Sequence, residues 1–175
     1  MIKQITIIRI TLFILVLFIS SIAQATHFRY GHFSWVNGAT ANSVELKIQN
    51  AWRLNGYFSS CVSLVTMSFV PCSGASGAPG VGDAVIENIG GSQLDWGDGS
   101  PPIGSAFGGL LYLVTSVDPA NNWWFGEAID PDSLPLVSAG DPVDTTLNHE
   151  YAVAGDYTAF ISRCCRISRS SGPNQ

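Results

Sequence analysis

Charge is scarce in this 175-residue chain: Asp, Glu, Lys and Arg together make up 12% of it. Cations are scarcer still, with eight Lys and Arg against thirteen acids and a formal charge of −5. Phosphate recognition needs clustered cations, so a nucleic-acid partner is excluded, and anionic membrane surfaces are disfavoured for the same reason. The one local cluster, Arg163, Arg166 and Arg169, reads as solvated charge at a strand edge. Helical periodicity is missing after residue 25, which removes helical folds. Catalytic signatures are missing too: there is no Gly-x-Ser-x-Gly elbow, no His-Glu-x-x-His and no phosphate loop. Spacing alone does not place a carboxylate pair for glycoside hydrolysis. No enzyme is expected.

Long apolar runs are limited to the first residues. Lys3 and Arg9 precede Ile10–Ile19, a run of ten, and Ala23-Gln24-Ala25 follows as a small-x-small cleavage pattern. Ten helical residues reach about 15 Å, half of a bilayer core of roughly 30 Å. Residues 1–25 therefore read as a cleaved signal peptide without a lipid-anchoring Cys. The expected secreted product, residues 26–175, carries six basic and thirteen acidic residues, a formal charge of −7. Its length suits a single domain with a real core.

What is abundant is alternation and turn punctuation. Val44, Leu46 and Ile48 alternate with Glu45, Lys47 and Gln49, the pattern of a half-buried strand. Residues 27–36 and 43–53 flank Asn37-Gly38 and predict an antiparallel pair. The first of these carries rings on both faces, which predicts cover on both sides. Val62–Val70, Val85-Ile86, Gln93–Trp96, Leu110–Val117 and Trp123–Phe125 are further strand candidates. Trp35, Trp52 and Trp96 are assigned to the core. Residues 73–82 read as a flexible loop and 126–146 as a long surface loop. Thr146–Ala152 and Asp156–Ser168 read as a hairpin turning at Ala154-Gly155-Asp156. Many short strands with turns between them predict an all-β, antiparallel sandwich.

Four cysteines in an exported chain predict two disulfides. Three pairings of Cys61, Cys72, Cys164 and Cys165 are open. A Cys164–Cys165 bond ranks last because of ring strain, and a long-range bridge from the Cys61–Cys72 segment to Cys164 or Cys165 is expected. Zinc competes poorly, since the spacing departs from short ligand pairs.

Trp96-Gly97-Asp98-Gly99-Ser100, with His149-Glu150-Tyr151 and Gly155-Asp156-Tyr157-Thr158, resembles the PKD (polycystic kidney disease) domain. The resemblance implies an Ig-like sandwich of extracellular type. It covers about a third of the mature chain. Two departures stand out: the Phe of the family's strand-turn is absent, and 51 positions separate Asp98 from His149. An insertion carrying extra strands is therefore expected between the turn and the C-terminal hairpin. The two ends, Thr26–Gly31 and Tyr157–Phe160 with Cys164–Ser168, also resemble an uncharacterised secreted domain that heads longer adhesin-like proteins. Within the PKD likeness, Gly97 and Gly99 allow positive φ, Asp98 folds onto backbone N–H groups, Tyr151 and Tyr157 bury rings, and His149 is a structural donor.

Binding candidates remain beside these structural roles. Asp95 and Asp98, with Asp130, Asp132, Asp141 and Asp144, offer oxygens for calcium, although no EF-hand spacing is present. No other cofactor is expected. Trp123 and Trp124 beside Asn121, Asn122 and Glu127 could form a sugar platform. His27 and His32 point to opposite faces of a regular strand and do not form one site. The leading expectation is a secreted, non-catalytic adhesion or protein-interaction module. The alternatives are a carbohydrate-binding module at Trp123 or Trp124, and an accessory domain of a larger extracellular enzyme.

Overall fold

The computed structural model describes residues 28–54, 59–87, 93–104 and 107–162. Residues 1–25, read as a signal peptide, and His27, Asn55-Gly56, Cys164, Cys165 and the three C-terminal arginines lie outside them. The fold is an antiparallel β-sandwich. Its main sheet has the order β1 (Phe28–Asn37), β2 (Ser43–Arg53), β8 (Trp123–Ala128), β7 (Leu111–Asp118), β5 (Ala84–Glu87), β3 (Ser59–Ser63) and β4 (Ser68–Val70). β9 (Leu147–Glu150) shares with β8 the edge of β2 opposite β1. A second, two-stranded sheet pairs β6 (Gln93–Asp95) with β10 (Phe160–Ser162), and Ile103 bridges to Leu94.

The alternation seen in β2 becomes burial: Leu46 and Ile48 are inside, Lys47 outside. Asn50, Ala51 and Trp52 are buried in succession, so β2 is covered on both faces in the stretch where it pairs with β8. Asn50 is the one polar side chain in that run, and its amide donates to the Tyr112 hydroxyl at 3.0 Å. Ile48, Trp52, Tyr112, Val114 and Trp124 face the second sheet, which contributes Leu94 and Trp96 to the same core. Trp52 stacks on Trp124 with centroids 4.4 Å apart and meets Tyr112 edge-on at 4.6 Å. On the opposite face Val62, Ile86, Leu111 and Ile129 form a smaller core. The expected strands between residues 99 and 149 are present, and β7 and β8 hold the middle of the main sheet.

Several expectations are corrected. Residues 126–146 are not simply a surface loop. β8 runs to Ala128, Ile129 and Asp130 are buried, and Leu134 and Val143 pack onto the smaller core. The acidic composition of that stretch hid two apolar anchors. Residues 73–82 are organised rather than flexible in their contacts: one oxygen of Asp83 accepts the N–H groups of Ser73 and Gly80, both at 2.8 Å. Val62–Val70 is two strands, folded back between Ser63 and Ser68.

The disulfide is local, not long-range. β3 and β4 place Cys61 opposite Val70, so Cys72, two residues on, reaches back to Cys61 at a Cα separation of 5.2 Å. Both thiols are consumed, which removes the zinc reading for this pair. The C-terminal hairpin is also overturned. β9 pairs with β2 in the main sheet and β10 with β6 in the second, so residues 151–159 are a crossover between layers. Gly155, read as the turn residue, is not among the glycines with positive φ.

β1 departs furthest from expectation. Tyr30, Phe33, Trp35 and Val36 are all exposed, Trp35 at 67%. Among the described residues β1 pairs only with β2, and the two-stranded second sheet does not pair with it. Trp52 and Trp96 are buried as expected, whereas Trp35 is not in the core.

Candidate functional site

The PKD-like residues come together as one stack of rings. Gly97 and Gly99 take φ of +77° and +84°. Asp95 Oδ1 accepts the Gly97 N–H at 2.8 Å, and Asp98 Oδ1 accepts the Ser100 N–H at 2.9 Å. The other oxygen of Asp98 lies 2.8 Å from His149 Nε2. The imidazole of His149 stacks on Trp96 at 4.6 Å and meets Tyr151 edge-on at 4.6 Å. Tyr151 stacks on Tyr157 at 4.1 Å. Each tyrosine hydroxyl donates to a backbone carbonyl, Tyr151 to Trp96 at 3.3 Å and Tyr157 to Val153 at 3.0 Å. A Cβ on Gly155 would come 3.3 Å from the Tyr157 ring, so glycine leaves the ring its place. The turn after β6, strand β9 and the crossover are thereby fastened together.

Hydrogen bonds from Ser100, then from His149, hold the Asp98 carboxyl well below the usual carboxylate range. Burial, helped by the Asp98 charge and Tyr157, pushes the Tyr151 hydroxyl up and keeps it a donor. A carboxyl with a depressed pKa stabilises the fold above its unfolded value, here 3.8, and that contribution disappears as pH falls toward the folded value. Asp98→Asn is therefore expected to lower Tm at pH 7 and to converge on the wild type in strong acid. Melting curves between pH 7 and pH 2 that stay parallel for the two proteins would refute this coupling.

The carboxylates grouped as calcium candidates are engaged locally. Asp130, Asp141 and Asp144 each accept a nearby backbone N–H, as Asp95 and Asp98 do. Burial raises the Asp130 pKa, with the charges of Asp132 and Asp144 adding to the effect. Among the described residues, the one cluster of three close potential ligands is Cys61, Cys72 and Asp83, and its sulfurs form the disulfide.

Of the expected sugar platform, Trp124 is 2% exposed and inside the core, while Trp123 is half-buried. Asn122 sits in the turn before β8 with φ of +56°. The polar groups expected beside the rings are occupied: Asn121 donates to Asp118, and Glu127 accepts from Gln49 and Thr145. His32 lies exposed on β1.

The ring stack also forms part of a groove that the sequence did not reveal. The open groove has a volume of about 610 Å³ and lies between β1 and the crossover. Phe33 and Trp35 of β1, Tyr157 and Thr158 of the crossover, and Leu46, Trp96 and Tyr151 are among the residues that line it. The register explains its origin. Phe33 pairs with Ile48 and Trp35 with Leu46, and directly paired residues share a face. Phe33 and Trp35 thus occupy inward-facing positions beyond the reach of the second sheet. Alternation along β1 was readable from sequence; the width of the covering layer was not.

Three curated proteins of Dictyostelium discoideum are similar to this chain. Integrin beta-like protein C is 27% identical over 157 residues, which cover 90% of this chain and 6% of that protein. Integrin beta-like protein A is 27% identical over 158 residues, again 90% and 6%. Integrin beta-like protein B is 27% identical over 151 residues, 84% and 6%. The chain therefore spans a small fraction of these relatives' length. No solved structure matches it. The family model for the N-terminal region of integrin beta-like proteins A–E matches residues 29–172, and the chain belongs to that family.

Proposed function

We propose that this domain is an extracellular, non-catalytic recognition module of adhesion type, and that the groove beside β1 is its contact surface. The observation that carries the reading is the exposure of Phe33 and Trp35 at inward-facing positions, 44% and 67%. Large rings left uncovered in a groove are a common mark of a binding surface. The relatives' name, integrin beta-like protein, supports an adhesion role. The Cys61–Cys72 bridge and the leader-like first residues support an oxidising, extracellular setting. The PKD likeness supports a structural role for the Asp98–His149 pair, held between Trp96 and Tyr151. That ring stack braces the groove wall and supplies no chemistry of its own.

Surfaces coated with the secreted product of the full chain are expected to retain cells. Trp35→Ala is expected to reduce retention with Tm unchanged, because the ring is mostly in solvent. Trp123→Ala is expected to leave retention intact. Equal retention by wild type and Trp35→Ala would remove the groove from the account, and loss of retention on Trp123→Ala alone would favour the sugar platform at β8.

A further inference from the structure

Resting on that reading, we infer that the groove takes a neutral oligosaccharide, seated between Trp35 and Tyr157. Its walls offer two kinds of group. Phe33, Trp35 and Tyr157 contribute aromatic rings, apolar and flat. Asn37, Asn42 and Thr158 present amides and a hydroxyl, groups that both donate and accept. A pyranose has the same duality: C–H groups on its flat faces and hydroxyls around its rim. Among the described residues no side-chain hydrogen bond occupies the Asn37 or Asn42 amide, so each can serve a ligand hydroxyl.

Charge sets the class of sugar. The chain is acidic overall, −5, and among the described residues Asp156 is the one charged residue lining the groove. A sialylated or sulfated glycan, or a phosphate, would find no cation among the described lining residues and would face Asp156. A neutral glycan meets no such penalty, and the Asp156 carboxylate accepts hydroxyl protons. A cationic peptide would have a single counter-charge. A second copy of the chain would bring a second excess of acid. The volume of about 610 Å³ falls within the range of roughly 300–1,000 Å³ usual for ligand sites and exceeds what one sugar ring requires.

Binding of the secreted full chain to arrayed glucose-, galactose- and mannose-terminated oligosaccharides tests this, with sialylated and sulfated glycans on the same array. Retention of neutral glycans is expected. Trp35→Ala is expected to weaken it by about tenfold, the loss of one stacked ring contact. Trp123→Ala is expected to leave it unchanged. Near-ultraviolet dichroism and Tm of each variant check the fold. Preference for anionic glycans, or neutral binding indifferent to Trp35→Ala, would overturn the assignment. An empty array combined with Trp35-dependent cell retention would also overturn it, pointing to a protein partner while leaving the groove as the contact surface.

Discussion

Replacing Trp124 by alanine is expected to cost about 3–5 kcal/mol, the range for removing a large buried ring from a core. The ring is 2% exposed and stacked on Trp52, which also meets the edge of Tyr112. Three strands, β2, β7 and β8, lose a shared contact at once. Nothing smaller fills the space, because the neighbouring position is already glycine: a Cβ on Gly126 would come 2.9 Å from the Trp124 ring. A loss of this size is a large part of the 5–15 kcal/mol that stabilises a typical domain. Urea denaturation should show a much lower midpoint. Trp123→Ala, at a half-buried position next in sequence, should shift the midpoint far less. Equal shifts for the two variants would contradict the assignment of Trp124 to the core.

The second large effect is expected at Gly97. Its φ of +77° is unfavourable for any residue with a Cβ, and that atom would collide with the carbonyl oxygen of Thr158. The obstacle is backbone, so relief requires moving the crossover itself. Strain and forced displacement together place Gly97→Ala at about 2–5 kcal/mol. Gly99 provides the control. Its φ of +84° is similar, yet a Cβ there meets nothing within 4 Å. Gly99→Ala should cost only the backbone preference, about 1–2 kcal/mol. Comparable losses at the two glycines, measured by denaturant titration, would show that the turn does not press against residue 158.

Much of the sandwich was legible because local patterns decide it. The alternation of Val44, Leu46 and Ile48 defines the buried face of β2, and the apolar run from Leu110 becomes a strand whose first half lies in the core. The antiparallel pair before and after Asn37-Gly38 is also a local feature. What escaped depends on relations between distant parts. Gly155 and Asp156 look like a hairpin turn, yet β9 finds a better partner in β2 and β10 in β6. Cys72 reaches Cys61 only because the chain folds back between Ser63 and Ser68, a turn without Asn-Gly or Asp-Gly. Ring content suggested that β1 was covered, but cover depends on how many strands the second sheet holds. The same limitation concealed the groove: Trp35 and Tyr157 are 122 positions apart and become neighbours only through the crossover.

Both the contact surface and its proposed ligand require that the inward-facing rings of β1 stay uncovered. Acrylamide quenching of tryptophan emission tests this directly. Trp52, Trp96 and Trp124 are buried, at 6%, 2% and 2% exposure, whereas Trp35 is at 67%. Trp35→Phe is expected to remove most of the readily quenched emission and to leave Tm unchanged. Quenching that is the same in wild type and Trp35→Phe would mean that Trp35 is shielded, the groove closed and the proposed contact surface absent.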